Sequence, residues 1–272
     1  SNVVKIVGEF PWGPTDKVIE VGSREEMREK LLGWYSKPEE YKGYRSLVGK
    51  QFGPLRVVRV EASGAAKAST DIRDPAEVTL DGATDGDDYT VDITDGTTTS
   101  YTETASAGDS ADDVLQAVRD QINADDDAIV RAEWDSSGSK LLIGGAGSED
   151  WTISVSTTGG DVIAKTDPTK AVTVTAKYPG AAGDELKARW VRSSSGNFRI
   201  EVLWGNFADL SDEYSFDADG FSSFSSDSGY FDLQAHADGG ANPITTDKGS
   251  PLSGGADGTP ADGDYTGGAT SQ

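Results

Sequence analysis

The chain has 272 residues, enough for one large or two modest domains at roughly 150 residues each, and either could bury its own core. Asp and Glu number 47 against 24 Lys and Arg, a formal charge of −23, and such a surface repels nucleic acid phosphates and anionic lipid headgroups. The absence of cysteine excludes disulfides, thiolate zinc sites and cysteine nucleophiles; a lone histidine, His236, excludes a His-rich metal site and is the one residue a Ser-His-Asp triad could use. No apolar run approaches the ~18 residues of a membrane-spanning helix, and no signal peptide is visible. The acidity reads as a solubility-conferring surface, with salt adaptation as the alternative. Ser1-Asn2 reads as the remnant of a removed tag, so Val3 is not expected to be a natural start.

The first elements read as strand, helix, helix, strand. VVKIVGEF (3–10) is β-branched and suits a strand, a turn follows at Pro11-Trp12-Gly13-Pro14, and KVIEV (17–21) suits a second short strand. Ser23-Arg24-Glu25-Glu26 has the form of a capping box; Met27, Leu31 and Trp34 follow at helical spacing, and Gly33 is placed to end the helix. Ser36-Lys37-Pro38-Glu39 repeats the cap, after which Tyr41, Tyr44, Leu47 and Val48 share a face, and LRVVRVEA (55–62) reads as a strand. Residues 63–75 read as a polar linker.

A different texture starts at residue 76. EVTLDG, DYTVDIT and TSYTETA read as strands with turns at Asp81-Gly82 and Asp95-Gly96. A helix follows, capped by Asp109 or Ser110, with Ala111, Val114, Leu115, Val118 and Ile122 on one face. IVRAEWD, KLLIGG and WTISVS return to strands. After AVTVTA and the loop at 178–183, ELKARWVRSS and FRIEVLWG read as a hairpin around 194–197. Residues 208–232 read as a short helix or irregular strands. From Ala235 onward the Gly-rich composition predicts loop or disorder unless something else orders it. The expected class is α+β: a mixed α/β unit plus a β-rich body (1–62 and 166–272, discontinuous), a linker (63–75), and an inserted small β-α-β domain (76–165).

Chemistry is sparse. The Asp-Gly pairs at 81, 85, 95, 219, 257 and 262 lack the spaced oxygens of a calcium loop and read as turns. Gly144-Gly145-Ala146-Gly147 is followed by neither Lys-Ser/Thr nor a helix, so it reads as a turn rather than a phosphate loop. No acidic pair stands out as glycosidase-like. His236 reads as an exposed loop histidine, and Trp12, Trp34, Trp134, Trp151, Trp190 and Trp204 as packing residues. No catalytic residue, metal or cofactor is expected, and the chain is read as non-enzymatic.

Three stretches carry a resemblance. The first is IVGEFPWGPTDKVIEVGSREEMREKLLG with the later strand Val58-Arg59-Val60: it holds Gly8, Gly13-Pro14, a short strand, a capped helix and Gly33. The second is Ala176-Lys177-Tyr178-Pro179-Gly180-Ala181-Ala182-Gly183-Asp184-Glu185-Leu186, and the third Leu252-Ser253-Gly254-Gly255-Ala256-Asp257-Gly258. Together they resemble the contractile phage tail sheath family, which carries A-K-x-P-G-x-x-G-N-x-L and Leu-x-Gly-Gly-x-Asp-Gly in this order. Two departures are Asp184 in place of Asn, and Lys50-Gln51-Phe52-Gly53-Pro54 in place of an Asn-Gly-Gly approach to the Arg-Val strand. The segment from 76 is similar to a small β-α-β module recurrent in phage tail and baseplate proteins.

The resemblance implies a structural subunit that polymerises as a helical sheath around a tail tube and contracts to drive it through a target envelope. It implies other sheath subunits and the tube as partners, neither nucleic acid nor membrane, assembly in the host cytoplasm and residence in the virion tail. Bacteriophage, prophage, tailocin and other contractile injection systems share these motifs. Sheath proteins also carry an N-terminal arm and a large C-terminal domain not recognisable here, so the chain is expected to be a truncated, monomeric fragment. The alternative is a host-surface or glycan-binding β-rich module of a phage tail, with Trp134 or Trp151 stacking on sugar.

Overall fold

The computed structural model of the chain describes residues 4–15, 17–32, 35–37, 40–47, 55–145, 151–192, 198–204, 213–216, 230–236, 244 and 249–261. Strands β1 (Val4–Gly8), β2 (Val18–Val21) and β3 (Leu55–Arg59) form a sheet in the order β1-β3-β2. β1 runs parallel to β3, and β2 antiparallel to it. Helix α1 (Arg24–Met27) runs on as a π-helical turn over Arg28–Leu32, and α2 spans Lys42–Leu47. Ser23 caps α1 as expected, accepting from the Glu26 N–H at 3.1 Å, but the Glu26 carboxylate reaches one residue further back, to the Gly22 N–H at 2.9 Å. Alternation along β2 and β3 turns one face of the sheet inward, where Ile19, Val21, Leu55 and Val57 pack with Phe10, Met27, Leu31 and Leu47. The expected residues Gly33, Trp34, Val48 and 50–54 lie outside the described residues.

The stretch 63–75 is not an unstructured connection. It holds strand β4 (Ser69–Arg73), and Ser63, Ala66 and Ser69 form bridges to Thr259, Ala256 and Ser253. Alternation with small residues, rather than large apolar ones, hides this strand from a reading based on hydrophobic pattern.

From residue 76 the expected elements appear, with one strand, Ile163–Lys165, in addition. β5 (Ala76–Leu80), β6 (Asp88–Thr94), β7 (Thr98–Thr104), α3 (Ala111–Ala124), β8 (Val130–Asp135), β9 (Lys140–Gly145), β10 (Thr152–Thr157) and β11 (Ile163–Lys165) make two sheets, β10-β6-β7 and β11-β5-β9-β8. Ser110 caps α3 in a complete reciprocal box: its hydroxyl accepts from the Asp113 N–H at 3.3 Å and its own N–H donates to the Asp113 carboxylate at 2.9 Å. Leu115, Val118 and Ile122 then enter one core with Val78, Val91, Ile93, Leu141, Ile143, Trp151 and Ile153. Val114 joins a smaller cluster with Tyr89 and Ala105.

The remaining chain supplies β12 (Lys170–Ala176), a 3-10 turn (Ala181–Glu185), β13 (Leu186–Arg192), β14 (Phe198–Trp204), β15 (Glu213–Phe216), β16 (Phe231–Ala235) and β17 (Ser250–Pro251). They form the sheets β16-β12-β4 and β15-β14-β13-β17, and β13 and β14 make the expected hairpin. Between them lies a third core of Trp12, Ile72, Val172, Val174, Leu186, Trp190, Ile200, Phe231 and Leu252. The part of 208–232 that is described holds strands, the second of the two expected alternatives. The Gly-rich tail is ordered over 249–261 by β17 and the three bridges to 63–69. β4 and β12 pair antiparallel from Ser69↔Thr175 to Arg73↔Lys170, and the Asp74 N–H donates to the Thr169 carbonyl at 2.8 Å. The chain therefore leaves for β5 and returns from β11 through one two-stranded stalk.

Candidate functional site

Arg59 ends β3 on the inward side of the sheet and is 4 % exposed. A cation there must find acceptors or the cost of burial is severe. Its guanidinium meets three backbone carbonyls from two distant loops: Nε donates to Phe10 O at 2.8 Å, Nη1 to Gly13 O at 2.9 Å, and Nη2 to Pro179 O. The planar fork suits this three-way contact, which a lysine could not make. Burial pushes the Arg59 pKa down, and the nearby Asp257 carboxylate opposes that shift.

Asp257 closes the arrangement from the C-terminal segment. Its Oδ2 accepts from the Tyr41 hydroxyl at 2.7 Å and its Oδ1 from the Ala181 N–H at 3.0 Å. Burial, then the hydrogen bond to Asp257, push the Tyr41 phenol well above its ordinary range. The Tyr35 and Tyr41 rings meet edge to face at 5.6 Å, and Trp12 and Tyr178 do so at 5.2 Å. Gly180 is wedged between these charges with φ 132°, and a Cβ there would lie 2.9 Å from Asp257 Oδ1 and 3.0 Å from Arg59 Nη2. Only glycine fits both the conformation and the space. Beside the junction is a cavity of about 280 Å³ whose walls include Glu9, Phe10, Glu40, Tyr41, Arg59 and Asp257.

The structure thus brings Gly13, Arg59, Pro179, Gly180, Asp257 and Gly258 to one place, from all three stretches singled out in the sequence. Gly13 has φ 107°, and its Cβ would fall 2.6 Å from Lys30 O. Gly255 donates its N–H to Asp184 Oδ1 at 2.7 Å. An Asp or an Asn at 184 offers that oxygen equally. Gly183 packs against Ala68 and Ala176, and Gly258 against the backbone of 62–65. Leu186 is buried in the third core and accepts from the Leu252 N–H at 2.9 Å. Pro14 is half-buried, and Gly254 sits at a φ of 82° with nothing near it. Lys177 is apart from the junction, paired with Asp232 at 2.7 Å, and Gly8 contacts Gly43 of α2. Gly33 lies outside the described residues.

Sequence reasoning missed Tyr41 and Gly43 as junction residues. Tyr41 was placed on a helix face, and nothing local links it to Asp257. Gly43 carried a signal: a glycine inside a short helix marks close approach, and here a Cβ would lie 2.4 Å from Glu9 O.

The other candidates settle as follows. His236 is not an exposed loop residue: it is half-buried at the end of β16, its Nε2 lies 2.8 Å from Thr173 Oγ1, and Thr173 donates to Asp71 at 2.6 Å. Gly144 and Gly145 belong to β9 rather than to a turn, while 146–147 lie outside the described residues. Gly86 and Gly96 take the positive φ that turns require. Trp12, Trp151 and Trp190 are buried, and Trp134 packs half-buried on the core around α3. Trp34 and the Trp204 side chain are not described. Among the described residues no three His, Asp or Glu side chains are grouped to hold a metal ion, and no helix is long and apolar enough to cross a membrane.

No family model matches the chain, and no curated protein does. Among solved structures the chain is similar to the sheath tail protein of Desulfitobacterium hafniense, at 14% identity and TM-score 0.46, over 97% of this chain and 37% of that one. It is likewise similar to the sheath tail protein of Listeria innocua, at 13% identity and TM-score 0.46, over 97% of this chain and 36% of that one. A likeness to the flagellar cap protein of Escherichia coli has 15% identity and TM-score 0.24, over 67% of this chain and 47% of that one. The chain spans little more than a third of the length of the two sheath tail proteins it resembles.

Proposed function

We propose that the chain is the peripheral body of a tail sheath subunit, a structural part rather than an enzyme. One observation carries this reading. The three stretches that resemble the sheath family, far apart in the sequence, supply the atoms of one buried junction around Arg59. Family motifs that meet in space act as a unit, whereas chance matches scatter.

In this reading, residues 1–62 and 166–272 form the body and 76–165 an inserted domain. The motif residues are structural. The junction locks the β1-β3-β2 unit onto the β12–β13 body, so the subunit turns as one rigid piece. A sheath that contracts needs this: its free energy is stored between subunits in a two-state lattice, and a soft hinge within the subunit would dissipate the rotation. The full-length protein would assemble in the host cytoplasm, with other subunits around a tail tube, and reside in the virion tail. Whether the particle is a phage, a prophage remnant or another contractile injection system is a matter of the genes around it. The glycan-binding alternative gains no support from Trp151, which is 2% exposed, while Trp134 is half-buried against the core around α3.

The test is negative-stain microscopy of the full-length protein beside its Arg59→Ala variant. Regular tubes or sleeves from the parent, and shorter or irregular ones from the variant, are expected. A folded full-length parent that never forms tubes, alone or with purified tail tubes, overturns the reading.

A further inference from the structure

Among the described residues three large apolar side chains are more than half exposed: Val7 (51%), Val18 (58%) and Val162 (59%). Two of them belong to one surface. In the first sheet both Val7 and Val18 pair with Val58, so the face turned away from α1 and α2 carries the row Val7, Val58, Val18. The neighbouring row is Lys5, Arg56 and Glu20, with Arg56 and Glu20 ion-paired at 2.9 Å, and Lys17 is exposed beside Val18. Parallel strand pairs are normally covered on both faces; β1 and β3 are covered on one. The result is an aliphatic row whose rim, Lys5, Lys17 and the Arg56–Glu20 pair, carries a net positive charge on a chain of formal charge −23.

Val162 has the opposite surroundings. It precedes β11, its N–H donates to Asp81 Oδ1 at 2.7 Å, and its carbonyl accepts from the Asp81 N–H at 3.2 Å. Asp161 adjoins it, a half-exposed carboxylate bonded to the Tyr89 hydroxyl. An exposed valine flanked by carboxylates is the complement of a valine row flanked by lysines.

We propose that these surfaces are the two halves of one contact between copies of this chain. Val162 of one copy seats on the Val7–Val58–Val18 row of the next, with Asp81 and Asp161 facing Lys5 and Lys17. The contact is heterologous, so each pairing leaves one half free at either end and can extend head to tail. It is small and therefore weak, and it becomes populated when copies are crowded or tethered. It goes beyond the sheath reading in naming the two surfaces that meet, and its test reads the self-association of this chain alone.

Sedimentation velocity of this chain over rising concentration tests the contact. The weight-average sedimentation coefficient should climb with concentration at low salt and climb less at high salt, where the charged rim is screened. Val18→Asp and Val162→Asp should each abolish the climb, with unchanged circular dichroism because both sites are exposed. An equimolar mixture of the two variants retains one intact pairing and should form dimers that do not extend. A parent that stays monomeric at every concentration and salt, variants that still associate, or a mixture that stays monomeric would each overturn the proposal.

Discussion

The segment 76–165 and the Arg59 junction are built in opposite ways. In the segment, the α3 cap closes over three residues, β6 and β7 pair across a short turn, and alternating apolar residues fill one core. Around Arg59, the partners lie 46, 49 and 120 residues away, and Tyr41 reaches Asp257 across 216. One region is stabilised by many small contacts shared among one apolar core and two sheets. The other rests on a few long-range polar ones, each of which leaves an unsatisfied group behind when removed.

That difference can be broken or sharpened by mutation. Arg59→Ala should have the largest effect: it strands three buried carbonyls and removes the cation beside the Asp257 carboxylate, at a cost of about 3–5 kcal/mol. Hydrogen exchange in mild urea should show protection lost in β1, β3 and β12 and kept in α3; uniform loss would mean that the regions are one cooperative unit. Arg59→Lys should recover only part, since an ammonium cannot span the three acceptors. Leu115→Ala should cost about 3 kcal/mol with the pattern reversed, protection falling in α3 and its sheets alone. Gly180→Ala should cost about 2 kcal/mol through its backbone conformation and its crowding against Arg59 and Asp257, read as a lower urea midpoint with an unchanged slope. Ser110→Ala should remove about 1 kcal/mol from the segment.

A further expected effect is a pH dependence. Burial, then the hydrogen bond to Asp125, push the Tyr101 phenol from 10.0 up to about 12. The folded state therefore favours the protonated phenol. The stability this contributes is complete below pH 10.0 and is lost as the pH rises through about 12. Tyr101→Phe should flatten the alkaline limb of the segment's unfolding curve; an unaltered limb would assign that loss to other tyrosines.

Legibility followed the same division. The β6–β7 hairpin, the face of α3 and its cap were readable because their signals span a few residues. The junction was readable only as three motifs in order, because nothing in Val58-Arg59-Val60 says that the arginine turns inward to bind carbonyls at 10, 13 and 179. β4 was read as linker because Ser69, Thr70 and Asp71 carry no apolar alternation; it is a strand because β12 pairs with it. The tail at 249–261 reads as disorder by composition, yet its backbone finds partners at 63–69 that no local pattern announces. His236 was misjudged for the same reason: its partner, Thr173, lies on another strand.

The stalk has a consequence of a different kind. The ends of the 75–168 stretch are held side by side by the Asp74 N–H to Thr169 carbonyl bond. Deleting everything between them would leave β4 and β12 separated by a gap that a short turn can bridge, at little cost in closure entropy. The same socket would accept a foreign module whose own termini lie close together.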